Sequence, residues 1–474
     1  MKHGCKRILI VALLVTETTR AFAQAPEPPS VTAPVPVDAA PEVTPDEASG
    51  LIEPRDPAET ISHKVARGFL FPVRAVWFVV WAPVRLVAWA YDRYAIQSRV
   101  KSFFFSEDGK IGLFPVVVYK SGFGLGGGLR FVMRDLFADK ARLKLEANYG
   151  GEVVQSYKAR YKSGLLLGKQ AEFDVMVGFE TAPRSRFFGI GNRERVVAAP
   201  AMLIDPLRDD TAVDTRFYYD AFVSEGALGF DLPGPLSARV SGGTLIREFD
   251  KDIDDDEVTT TTVYDETKLV GFVDGLSSVF ADAELILDTL WQPRFYISRA
   301  LPSTGWYASL RGGYVRGFDK DPSRFARWSA DVRRYINVYA DDRIVMLRAL
   351  YQGVSGDIEH IPFLDLPALG GSNLLRGYPQ DRFRDRQAGL VSAEYEWSVD
   401  RSVAAFVFMD AGRVWRNQDD FSAGDFRVGF GGGLQLHSQR NFLARIMLAG
   451  SADGDVFFQF SFNPLFANRR GEQP

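Results

Sequence analysis

From about residue 111 onward the chain alternates between hydrophobic and polar positions with a period of two. Ala141, Leu143, Leu145, Ala147 and Tyr149 are separated by Arg142, Lys144, Glu146 and Asn148. Tyr157, Ala159 and Tyr161 alternate with Lys158, Arg160 and Lys162, and Phe173, Val175, Val177 and Phe179 with Glu172, Asp174, Met176 and Gly178. Near the end Val456, Phe458, Phe460 and Phe462 repeat the pattern around Phe457, Gln459 and Ser461. A period of two places successive side chains on opposite faces of a strand. A soluble antiparallel sheet alternates too, but its apolar face needs a covering layer. No helical pattern that could supply one follows residue 100. A closed barrel, with lipid outside and a polar lumen, satisfies every strand without a second layer.

Runs between turn signals number roughly sixteen from Ile111 to Phe462, at about 22 residues per strand with its share of loop. The pattern thus predicts an all-β fold, a 16-stranded antiparallel transmembrane β-barrel over residues 105–466, with a tail at 467–474. Short turns are expected at 135–140, 341–342, 400–402 and 438–441, and long loops at about 181–213, 250–276 and 355–387. An even strand number puts both termini in the periplasm.

Ahead of the strands the period changes. Phe69 to Ala90 holds Trp77, Trp81 and Trp89 among aliphatic residues. Arg67, Arg74 and Arg85 are spaced so that, at 100° per residue, they fall within about 20° of one direction. Asp92 and Arg99 continue this stripe, and Pro72 and Pro83 should kink the helix. Arginines inside the stretch, each costing ~2.5–3.5 kcal/mol near a bilayer centre, argue against a spanning helix. An amphipathic helix over 61–100, lying in a membrane interface or against a barrel mouth, fits the stripe best. A spanning helix and a helix within a soluble domain are the alternatives.

The first residues read as an address. Lys2, Lys6 and Arg7 precede the apolar run Ile8 to Val15, and Ala21-Phe22-Ala23 fits a small-x-small cleavage site. Residues 1–23 are therefore expected to be a secretory signal peptide. Cys5 would leave with it, so the mature chain would have neither disulfide nor thiol chemistry. Residues 24–60 carry nine Pro, eight Asp or Glu and one Arg, the composition of a disordered acidic linker. The net charge of −4 argues against nucleic acid as a partner. A mean hydropathy of −0.09 excludes a bundle of several membrane-spanning helices, but not a membrane barrel.

The long late loop contains Leu369-Gly370-Gly371-Ser372-Asn373-Leu374-Leu375-Arg376-Gly377-Tyr378. Its Arg-Gly-Tyr core resembles the Arg-Gly-Phe/Tyr motif of the BamA/TamA/FhaC superfamily, the bacterial surface antigen barrels. Phe187-Phe188-Gly189-Ile190-Gly191-Asn192 is similar to that family's aromatic-Gly-Ile-Gly-Asn segment. Phe408-Met409-Asp410-Ala411-Gly412 is similar to its Phe-x-Asp-x-Gly strand, and Gly389 with Glu394 to its Gly-x-x-x-x-Glu strand. Leu287-Asp288-Thr289 begins like the family's Asp-Thr-Arg-Asp turn but departs at Leu290. The resemblance covers about 105–466. It implies an outer-membrane barrel acting in membrane biogenesis or in protein or lipid translocation. It also implies a loop latched inside the lumen, with Arg376, Gly377 and Tyr378 held by Glu394 and Asp410. On the residues alone, a solvated loop arginine is the favoured reading of Arg376, and the family pattern reverses it.

Other tempting features take plain readings. The run Asp250 to Glu257 lacks the glycine and terminal glutamate of a calcium loop, so a solvated surface loop is expected. His3, His63, His360 and His437 show no metal-ligand spacing. No nucleophile–base pair is visible, so neither an enzyme nor a cofactor is expected. Residues 24–110 leave no room for a POTRA module, the periplasmic domain of family members, so partners docked through one are not expected. Outer-membrane lipid and lipopolysaccharide, with an unfolded protein or a lipid as substrate, are the partners implied. A passive porin-like or structural barrel is the competing reading. The working part is expected at the seam. Pro115 in the first strand cannot donate to a ladder, and Asn463-Pro464 stops the strand that carries Phe458, Phe460 and Phe462.

Overall fold

The computed structural model describes residues 103–120, 124–150, 154–166, 171–192, 203–207, 212–250, 258–291, 302–339, 343–400, 403–437 and 442–461. The expected signal peptide, acidic linker and Arg67/Arg74/Arg85 helix lie outside them, as do Phe462 and most of the 250–257 run.

The first eight strands are β1 Ile111–Lys120, β2 Gly124–Arg134, β3 Arg142–Gly150, β4 Val154–Leu166, β5 Ala171–Phe187, β6 Thr215–Asp231, β7 Leu236–Asp250 and β8 Leu276–Asp288. They are followed by β9 Gly305–Gly317, β10 Arg324–Tyr339 and β11 Arg343–Ser355. Two short strands, β12 Ala368–Leu369 and β13 Phe383–Arg384, pair with each other inside the long late loop. The last five are β14 Gln387–Asp400, β15 Val403–Trp415, β16 Arg427–His437, β17 Phe442–Ser451 and β18 Val456–Ser461. All but β12 and β13 form a single 16-stranded sheet, in chain order and antiparallel throughout. Among the described residues no ladder joins β18 back to β1.

Register keeps the two faces distinct. Glu394 on β14 stands opposite Phe408 on β15, which stands opposite Gly431 on β16 and so Ala449 on β17. That inward row is buried or half-buried, whereas the adjacent Val391, Val407, Met409, Phe430 and Leu448 are exposed and apolar. One face therefore suits lipid and the other a polar interior. Val456 and Phe458 of β18 share the exposed apolar face, and Phe460 is half-buried. Phe458→Arg is expected to cost ~2–4 kcal/mol at the bilayer midplane, less toward the interfaces. Denaturant titration in lipid vesicles measures it, and an unmoved midpoint would take this face off the lipid.

One sequence expectation needs correcting. The loop expected at 181–213 starts later, because β5 continues to Phe187. Thr181 and Ala182 still pair with Asp220 and Tyr219 of β6, and after a register shift Ser185 pairs with Phe217. Polar residues lengthen this hairpin beyond the apolar pattern that marked the strand. Pro115, singled out because it cannot donate to a ladder, lies within edge strand β1. The β1–β2 register runs unbroken from Ile111/Met133 to Lys120/Gly124, with Pro115 opposite Leu129. An edge strand tolerates proline because one of its sides has no partner to receive a donated bond.

The three longest loops share a core of their own. Phe187 of β5 and Phe217 of β6 pack edge-on against Phe363 of the late loop at ring-centroid distances of 5.1 and 5.4 Å. Phe272, from the β7–β8 connection, stacks on Phe249. Arg247 of β7 grips Asp365 through two hydrogen bonds of 2.9 and 3.0 Å. Tyr264 is fully buried there. Its hydroxyl donates to the Val213 carbonyl at 3.1 Å and accepts from the Val213 N–H at 2.8 Å. Burial pushes this phenol up to about 12. Its folded value lies above the unfolded value near 10, so its contribution is complete below about pH 10 and is lost as pH rises to about 12. Phenolate absorbance followed beside loop proteolysis is expected to show both changing in that window, and loops that open well below pH 10 would refute it.

Candidate functional site

The 356–386 loop between β11 and β14 turns back onto the inward face of β14–β17. Leu375 has a positive φ of 55° and Gly377 one of 96°. A Cβ at Gly377 would collide with the Gly450 carbonyl, so the tight approach needs glycine. Leu369, Leu375, Tyr378 and Phe383 of the loop pack with Leu350, Ala388, Leu390 and Val414 of the sheet, all buried. Burying this apolar surface offsets the unfavourable backbone at Leu375.

These turns deliver the Arg376 side chain, fully buried, to two carboxylates. Its Nε donates to Asp410 Oδ2 at 2.8 Å and its Nη2 to Oδ1 at 2.7 Å, a two-pronged pairing. The Arg376 backbone N–H donates to the same Oδ2 at 2.9 Å. Nη1 donates to Glu394 Oε2. Glu394 is gripped from its other side by Arg445 of β17, at 3.1 and 2.8 Å. The two guanidiniums lie over aromatic plates, Arg376 over Phe408 at 3.7 Å and Arg445 over Phe406 at 3.6 Å. Those rings lie against Gly431 and Gly433 of β16, where a Cβ would strike them. Its two carboxylate partners hold the Arg376 guanidinium more firmly protonated than usual, against the opposing effect of burial.

The structure thus brings Arg376, Gly377, Tyr378, Glu394 and Asp410 into one buried cluster. Tyr378 donates its hydroxyl to the Val428 carbonyl at 3.3 Å. Arg445 was not singled out from sequence. Its signal is a lone charge in Phe442–Ser451, an otherwise apolar strand. The Phe187–Asn192 segment adjoins the same loop: the Gly191 N–H donates to the Arg384 carbonyl at 2.7 Å, and Arg382 lies over the Phe188 ring at 5.3 Å. The seam residues are elsewhere. Pro115 sits mid-way along edge strand β1, and Phe458 and Phe460 on edge strand β18; Phe462 lies outside the described residues. No group of acidic, histidine or cysteine side chains able to hold a metal occurs among the described residues.

A single antiparallel sheet of sixteen strands, apolar and exposed on one face and carrying a guanidinium-latched loop on the other, has the two-faced pattern of a membrane β-barrel. The Omp85 superfamily domain profile matches residues 297–463, the part that holds the whole latch. The matched part is about a third of the chain, and over it the chain is similar to that superfamily. No curated protein matches it in sequence. Among solved structures it is similar to BamA from Haemophilus ducreyi lacking POTRA domains 1–3. The TM-score is 0.53 at 16% identity, over 74% of this chain and 69% of that one. CdiB from Acinetobacter baumannii matches with TM-score 0.47 at 15% identity, over 74% of this chain and 59% of that one. CdiB from Escherichia coli gives 0.46 at 13%, over 74% and 60%.

Proposed function

We propose that this barrel serves outer-membrane biogenesis or translocation, moving a protein or lipid substrate through a lateral seam between β1 and β18. The observation that carries the reading is the buried Arg376 latch with the loop it holds. A passive pore needs an open lumen, whereas here a 31-residue loop occupies the inward face and shares a hydrophobic core with its neighbours. The edges support it. Among the described residues β18 covers six, and β1 contains a residue with no N–H to donate. Two strands so limited share fewer hydrogen bonds than an interior pair, so the sheet opens most cheaply there.

Sixteen strands bring the start of β1 and the end of β18 to the short-turn end, which we place in the periplasm. Lipid and lipopolysaccharide are the surroundings the outward apolar face requires. The protein acts here without catalysis or cofactor.

The test locks the seam. Cys5 is the one cysteine of the sequence, so a pair introduced at Val117 and Phe458 is cleanly read after its reach is checked. Oxidation is expected to reproduce the envelope changes of a depleted strain, in outer-membrane protein content or lipid asymmetry, and reduction to reverse them. A locked barrel that complements fully would overturn the proposal in favour of a passive or structural barrel.

A further inference from the structure

Across most of the sheet the inward face interleaves charges of opposite sign. Asp282 lies between Arg311 and Arg327, Asp331 between Arg333 and Arg348, and Glu394 between Arg376 and Arg445. Strands β2–β4 break this pattern. Register sets Arg134, Arg142 and Lys162 side by side in one row, and Lys144 beside Arg160 in the next. Like charges directly opposite one another repel. Glu146 is the single carboxylate on this face of the three strands, and Arg130 and Lys144 both bind it. Arg160 and Lys162 reach across to Asp174 and Glu172 on β5. Arg142 and Lys158 are exposed and meet no carboxylate among the described residues.

This wall stands one strand in from the seam. The strip between them, on the inward face of β1, is apolar at Phe114 and Val116, and across the seam the inward face of β18 presents Phe457 beside the polar Gln459 and Ser461. A molecule entering at the seam would meet hydrocarbon-like surface first and fixed positive charge second. That order matches an amphiphile. An extended acidic polypeptide would be served by cations in successive rows and gains nothing from the apolar strip.

We propose that the inward face of β2–β4 receives the phosphate headgroup of an anionic phospholipid while its acyl chains lie along the apolar margin of the seam. This rests on the reading of the seam as the working part. Four probes are titrated into the full chain in detergent: dihexanoyl-phosphatidylglycerol, dihexanoyl-phosphatidylcholine, inorganic phosphate and a polyglutamate peptide. The glycerol lipid is expected to bind at least tenfold more tightly than the choline lipid, and less tightly as salt rises. The R142E/K158E variant is expected to lose at least tenfold of that affinity. R142Q/K158Q, which introduces no new charge and so spares folding, is expected to lose an intermediate amount.

Equal binding of the two lipids would overturn the proposal. So would inorganic phosphate binding as tightly as the glycerol lipid, which would mark a bare anion site, or polyglutamate binding more tightly, which would mark an acidic polypeptide. So would wild-type affinity in both variants. Locking the seam separates this proposal from the one it rests on. Short-chain lipid still titrates in a locked barrel if the wall binds headgroups, whether or not the lock abolishes complementation.

Discussion

Arg376→Ala is expected to free the 356–386 loop from the sheet and cost ~3–5 kcal/mol, the range for removing one partner of a buried ion pair. The loss falls unevenly. Every Asp410 hydrogen bond described above comes from Arg376, whereas Glu394 keeps Arg445. Asp410 is therefore the group left charged and unpaired, and Asp410→Ala is expected to relieve part of the penalty in the double variant. Arg376→Lys should recover little. An ammonium cannot fork across a carboxylate while lying flat on Phe408. Limited proteolysis of the folded protein in detergent reads the loop directly, and gel mobility with and without heating reads the barrel. Protease resistance unchanged in both Arg376→Ala and Asp410→Ala would sink the latch.

The second large effect is expected at Gly429 of β16. A Cβ there would collide with the Arg376 carbonyl oxygen, and that obstacle is backbone, not the end of a flexible side chain. Gly429→Ala should therefore push the loop off its seat and cost ~1–3 kcal/mol, as overpacking does. The control is a chain in which residues 356–386 are replaced by a short turn. The carbonyl is then gone, and the same substitution should be close to neutral. Equal destabilisation with and without the loop would show that Gly429 serves the strand and not the seat.

The strands were legible because lipid on one side and a polar interior on the other force a period of two. Leu143 to Tyr149 shows this as well as any segment. Boundaries were not legible where that constraint lapses. Arg184, Ser185 and Arg186 near the end of β5 alternate with nothing apolar, yet the hairpin continues through them. Arg376, Glu394 and Asp410 could be singled out only through family motifs, since a loop arginine read locally is a solvated one. Arg445 belongs to no such motif, and its meeting with Glu394 is set by a register spanning three hairpin partners. The shared loop core was hidden for a related reason. Phe187, Phe217, Phe272 and Phe363 come from four separate stretches with no common period, so only the fold shows that they meet.

The chain order of the latch also dictates when it can form. Arg376 precedes every strand that supplies its latch: Glu394 comes 18 residues after it, Asp410 34 and Arg445 69. Synthesis and insertion that run from the amino end leave Arg376 without its carboxylates until β14 and β15 arrive, and Glu394 without its second arginine until β17. The guanidinium pair around Glu394 is completed only when the sheet is one strand short of its last. A sheet stalled before β15 would carry its loop without the Asp410 pairing and open to proteases, so the contact that seats the loop marks the chains whose late strands have formed.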